Sequence, residues 1–260
     1  MTRVLRVFAD ANILFSRILR DYVLYADTAG AIRVRWTEEV LEEMARNLVR
    51  LKKLGVGDQR KNAAFLVKVM REHYPLATVK IDPEFAAVVN TVEMDAKDRH
   101  VLAGALSASA DILLTENDEH FPHEWMSANG IQLLTAGRFL TLLVGENIAE
   151  LTEAHRLTVI NLGGADDRTV LQRLDRAIGE RHHRAVRTVA TALGFPDILG
   201  DSDSDSDSQQ PQAKKDTWIA GAIKPQHTRA SCGFPMPRAR KLCVLPLGHG
   251  GHHRSRLRAA

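Results

Sequence analysis

The strongest constraint on this chain is an alternation, through its first half, of short apolar runs with longer segments of helical period. Val4-Leu5-Arg6-Val7-Phe8 is followed by a helical stretch over 13–28 that stops at Gly30, and Ile32-Arg33-Val34-Arg35-Trp36 follows. Thr37 stands where an N-cap belongs, with Glu38 and Glu39 in the first turn, where the helix dipole favours negative charge. That helix runs to about Leu54. A further helix over 59–73 ends ahead of Pro75, which cannot continue it. Thr78–Ile81 is a weak strand. Residues 83–92 and 98–110 are helical, 111–115 and 131–134 are strands, and 136–199 is helical only. Strands that alternate with helices specify a parallel sheet covered on both faces.

With 45% apolar and 26% charged residues in 260, collagen, coiled-coil and wholly disordered classes are excluded. No run approaches the roughly 18–20 apolar residues of a bilayer span, so no membrane partner is expected. Residues 1–10 lack a signal peptide's apolar region and cleavage site. Two cysteines are too few for a disulfide scaffold. The expected setting is therefore a reducing cytoplasm.

The formal charge of +3 hides an asymmetry. Residues 213–260 hold ten Lys and Arg against one acid, Asp216, for +9, so residues 1–212 carry −6. Between the two lies the repeat Asp201-Ser202 through Asp207-Ser208, followed by Gln209-Gln210-Pro211-Gln212, a solvated linker by composition. The expected organisation is a domain over 1–145, a helical extension over 146–199, an acidic linker over 200–213 and a basic tail over 214–260.

Several carboxylates fall at informative places. Asp10 ends the first strand, and ligands of open parallel sheets bind beyond the carboxyl ends of strands; an Asx-turn is the alternative use of such a residue. On the 37–54 helix, Val40, Leu41, Met44, Leu48 and Leu51 form one apolar arc. Glu43 lies nearer that arc than Glu38, Glu39 or Glu42. Asp98 projects into the arc of Val101, Leu102, Ala105 and Leu106, either as a cap or as a ligand, and Asp95 falls one turn earlier. Glu116, Asn117, Asp118 and Glu119 follow the strand ending at Thr115. Carboxylates that converge repel and raise one another's pKa, and a hard divalent cation, Mg²⁺ or Mn²⁺, keeps them ionised. Such an ion activates water and neutralises phosphoryl oxygens, which suggests phosphodiester hydrolysis.

These segments resemble a PIN domain. The resemblance rests on VFADANIL (7–14), TEEVLEEMARNL (37–48), DRHVLAGAL (98–106) and ADILLTENDEHFP (110–122), in that order across about 3–145. It implies a three-layer α/β/α fold with a central parallel sheet, and the helices to about 198 look like the extension of a subset of PIN proteins. It also implies a metal-dependent ribonuclease acting on RNA. Many members are toxins of toxin–antitoxin pairs of the VapC type, so an antitoxin and a homodimer are implied partners. By position, the metal-binding acids match Asp10, Glu43 and Asp98. The fourth position, usually Asp, is Asn117 here, which offers a carbonyl oxygen and no charge. Asp95 and Asp118 are candidate replacements for the missing charge. The departure at Asn117 keeps open a non-catalytic RNA-binding or regulatory PIN protein, and similar acidic sites also serve DNA flap nucleases.

The tail carries its own pattern. Cys232, Cys243, His249 and His252 are spaced C-x10-C-x5-H-x2-H, a Cys₂His₂ donor set suited to Zn²⁺, with His253 as the alternative to His252. The spacing departs from that of the usual zinc finger, and a basic arm without metal is the other reading. Arg238, Arg240, Lys241, Arg254, Arg256 and Arg258 can neutralise RNA phosphates without reading sequence.

Overall fold

The computed structural model describes residues 4–50 and 56–198. The linker and tail, with Cys232, Cys243, His249, His252, Arg238, Arg240, Lys241, Arg254, Arg256 and Arg258, lie outside them.

Strand β1 (Leu5–Ala9) is followed by α1 (Ala11–Phe15), α2 (Arg17–Ala29) and β2 (Ile32–Arg35). Next come α3 (Glu38–Arg50), α4 (Val56–His73), α5 (Pro83–Asn90) and α6 (Arg99–Ser107). Strand β3 (Ile112–Leu114) leads through a single 3₁₀ turn (Asp118–His120) to α7 (His123–Ala128) and β4 (Gln132–Leu134). The last helices are α8 (Ala136–Glu146), α9 (Ile148–Asn161) and α10 (Asp167–Ile178). A 3₁₀ turn (Glu180–His182) then leads to α11 (His183–Ala192).

The four strands are all parallel, in the order β2-β1-β3-β4. Val7, Phe8 and Ala9 have no exposed surface, as a parallel sheet covered on both faces requires. One apolar cluster runs from Val7 on β1 to Ala190 on α11, so the later helices share the core of the sheet.

The helix expected over 13–28 is two helices. Ser16 adopts extended backbone (φ −70°, ψ 116°), and the chain restarts with Arg20 N–H donating to the Ser16 carbonyl. The carbonyl of Leu14 is satisfied instead by the buried Arg20 guanidinium at 2.7 Å, so the break leaves no orphan acceptor there. The strand expected over 78–81 is a single bridge, Thr78 to Trp36. There Ala77 and Val79 bond the two sides of Trp36, and the Trp36 indole donates to Thr78 Oγ1. The 136–199 segment divides where Gly163, Gly164 and Gly179 take positive φ.

Candidate metal-binding acidic site

Neighbouring β1 and β3 send the chain to opposite sides of the sheet, so the gap beyond their carboxyl ends is the topological switch point. Ala9 pairs with Leu114, which sets Asp10 beside Thr115 in that gap. Asp10 N–H donates to the Leu114 carbonyl at 3.0 Å and extends the ladder one step.

The Asp10 side chain caps α1, its Oδ1 accepting from Ala11 N–H at 2.6 Å. Its Oδ2 accepts from Thr115 Oγ1 (2.7 Å) and Asn12 Nδ2 (2.8 Å). Thr115 is fully buried, and its one hydroxyl also accepts from Asn12 Nδ2 and from Asn117 N–H. Asn12 in turn accepts from Glu116 N–H. One hydroxyl and one amide thus tie the end of β1 to the turn after β3. The local backbone bond of Asp10 is thus a helix cap to the next residue, which leaves Oδ2 to the side chains of Thr115 and Asn12.

Burial pushes the Asp10 carboxyl up to about 6; its hydrogen bonds with Thr115 and Ala11 oppose the rise, and the charges of Glu43 and Asp98 add to it. These are the acids singled out on α3 and ahead of α6, and the fold brings them within electrostatic reach of Asp10. Thr37 Oγ1 sits 3.4 Å from Val40 N and holds the start of α3, while α6 lies against β1. At Gly104 an added Cβ would meet the Phe8 ring at 2.6 Å and the Thr37 methyl at 2.8 Å, so only glycine permits this approach. Asp98 occupies the N-cap position of α6 without capping it. Its Oδ2 faces His120 Nδ1 at 3.1 Å, and Glu43 Oε2 faces His100 Nε2 at 3.4 Å. Among the described residues no Lys or Arg pairs with Asp10, Glu43 or Asp98.

The other predicted residues lie at the rim. Asn117 is exposed at the start of the 118–120 turn. Asp95 is exposed, its Oδ1 accepting from Lys97 N–H, so it closes its own turn. Asp118 faces Arg181 at 3.7 Å, its Oδ1 buried without a hydrogen bond. Sequence reading missed Asn12, Thr115, His100 and His120 as parts of this site. The short spacing from Asp10 to Asn12 is the one signal that could have pointed to any of them.

The donors are hard oxygens, which suit Mg²⁺ or Mn²⁺. Acids gathered around a buried carboxylate, with no Lys or Arg paired to them among the described residues, are a second feature that fits a cation. As they stand, no three His, Cys, Asp or Glu side chains among the described residues are gathered closely enough to hold one ion. Glu43 and Asp98 are instead turned to their histidines.

A strand-end carboxylate at the switch point, flanked by acids from α3 and α6, matches what a family comparison finds: residues 6–119 match the PIN domain. Residues 6–119 are a PIN domain. PIN domains are in general nucleases that act on nucleic acid and typically use divalent metals. The four-stranded parallel sheet flanked by helices is consistent with this fold, and the matched segment includes Asp10, Glu43, Asp98 and Asn117. No curated protein and no solved structure matches the chain. No helix among the described residues is long and apolar enough to cross a membrane.

Proposed function

We propose that the chain is a Mg²⁺- or Mn²⁺-dependent endoribonuclease of the toxin type, working in the cytoplasm and restrained by an antitoxin protein. The observation that carries the reading is Asp10, a buried carboxylate with two further acids in reach and no Lys or Arg paired with any of them among the described residues. Asp10 and Asp98 would hold the ion directly, with Glu43 helping directly or through water. A bound divalent cation supplies charge neutralisation at the phosphoryl oxygens and lowers the pKa of water.

The chain's own residues do the rest. Ala11 N–H, Asn12 and Thr115 fix the Asp10 carboxylate, and Asn117 orients the attacking water from the rim. His120 and His100 face Asp98 and Glu43 and fix where these two carboxylates stand. In the tail, Cys232, Cys243, His249 and His252 would be the donors for Zn²⁺, and Arg238, Arg240, Lys241, Arg254 and Arg256 would give RNA a place to land.

The test is cleavage of single-stranded RNA with Mg²⁺ or Mn²⁺. The native chain cleaves, and Asp98→Asn does not while keeping its circular dichroism. Cleavage by a clean Asp98→Asn preparation would overturn the assignment. The rival reading is a PIN protein that binds RNA without cutting it, and Asn117 is the residue that favours it. RNA binding with no cleavage under either metal would establish that rival.

A further inference from the structure

Beside the acidic rim lies an open groove of about 690 Å³, walled by the end of β4, α8 and α11. Arg138 on α8, Arg181 in the turn before α11 and Arg184 on α11 line it, all three exposed. Glu146 also lines it. The walls meet at Gly137, where an added Cβ would stand 2.6 Å from His182 Cβ, so the glycine lets the 180–182 turn close onto α8. Burial, and then the positive charges of Arg181 and Arg138, hold His182 below the usual imidazole range. Among the described residues, Arg138 and Arg184 have no carboxylate within ion-pair distance, and Arg181 faces only Asp118.

The groove joins the site through that ion pair. Asp118 begins the turn that carries His120, the partner of Asp98, and the neighbouring Glu116 accepts from Ala136 N–H at the start of α8. An acidic rim repels a polyanion, so a nuclease built on one needs cations nearby to hold its substrate.

We propose that this groove binds the phosphodiester backbone of single-stranded RNA beside the acidic site, through Arg138, Arg181 and Arg184. Guanidinium groups suit this role because their planar forks match phosphate oxygens in pairs. The inference rests on the nuclease reading for its choice of ligand and is tested by binding alone. Its ligand class is set by backbone charge, so the groove reads no sequence.

The experiment is fluorescence anisotropy of a labelled single-stranded RNA with the full chain, in an Asp98→Asn background so that nothing is cut. Arg138→Gln with Arg184→Gln should weaken binding about tenfold at moderate salt. The pair should also lower the slope of log affinity against log salt by about 1.4, roughly 0.7 for each phosphate no longer neutralised. Gly145→Trp is the second variant. Nothing lies within 4 Å of a Cβ there, so a side chain has room to leave the helix, and Gly145 lines the groove that an indole would obstruct. It should weaken binding and leave the salt slope unchanged. Unchanged affinity and slope in variants that melt like the native chain would overturn the inference. So would an acidic peptide that binds the native groove while RNA affinity is indifferent to both changes. Failure of the nuclease reading is a different result: the native chain binds RNA and does not cut it.

Discussion

Asp10 is a carboxylate placed where ionisation is hard. Burial raises it to about 6, against an ordinary value near 4. An acid raised in the folded state favours folding when protonated; that contribution is present below about pH 4 and lost as the pH climbs through about 6. A rise of this size corresponds to roughly 3 kcal/mol of destabilisation at neutral pH. Asn12 already donates to this side chain, so an amide there sets two donors against each other and gives back about 1 kcal/mol. Asp10→Asn should therefore stabilise the metal-free chain by roughly 1–2 kcal/mol near pH 8 and by little near pH 4. Thermal melts at the two pH values check this, and an equal shift at both would reject it. Mg²⁺ should raise the native melting temperature and leave that of the variant unmoved. Thr115→Val removes the hydroxyl shared by Asp10, Asn12 and Asn117. Loss of such a supporting bond typically costs about 10–100-fold in metal affinity, measurable by Mn²⁺ titration. Asp10, Glu43 and Asp98 were legible from strand ends and helix faces, which are local patterns. Thr115, Asn12 and His120 were not, because their roles arise from side chains meeting across the fold; the Asn12–Thr115 bond alone joins residues 103 apart in sequence.

Among the elements, the joint that matters is between α2 and the later helices. Tyr22 on α2 meets His155 Nδ1 at 2.6 Å, and His155 Nε2 meets Asp167 Oδ1 at 3.0 Å. With neutral His155 donating to the carboxylate, Nδ1 accepts from the Tyr22 hydroxyl, and all three groups are satisfied. Burial holds His155 below its ordinary value, with the Asp167 bond opposing. A histidine lowered in the folded state supplies stability that is present above about pH 6.5 and lost as the pH falls below it. Asp10 acts in the opposite direction over the acidic range, so each contribution is read from variant minus native. His155→Phe should destabilise by about 1–3 kcal/mol at neutral pH, since the buried Tyr22 hydroxyl loses its partner, and the deficit should shrink toward pH 5. A deficit constant with pH would show that His155 does not titrate. The helical character of 136–199 was legible, but neither the separation of α9 within it nor its packing on α2 was. Helical periodicity likewise merged α1 with α2, because the break at Ser16 is stabilised by Arg20 reaching back to Leu14, and no propensity encodes that bond.

At the scale of the whole molecule, the near-neutral charge of +3 averages an acidic body with a basic arm. Among the described residues the apolar cluster runs from Val7 to Ala190, so a chain ending at residue 198 keeps that cluster and the acidic site. It also keeps the arginine groove, and loses the ten cations of 213–260. The two basic surfaces should therefore separate experimentally. If Arg238, Arg240, Lys241, Arg254 and Arg256 each neutralise one phosphate, truncation at 198 lowers the salt slope of RNA binding by about 3.5, at roughly 0.7 per phosphate on a single strand. Mg²⁺-dependent cleavage should persist at saturating RNA, because the residues that hold the acids together all lie within 10–120. A slope unchanged by truncation would leave the groove as the main electrostatic surface and reduce the tail to a solubilising arm. Loss of cleavage at saturation would instead place part of the reacting machinery beyond residue 198.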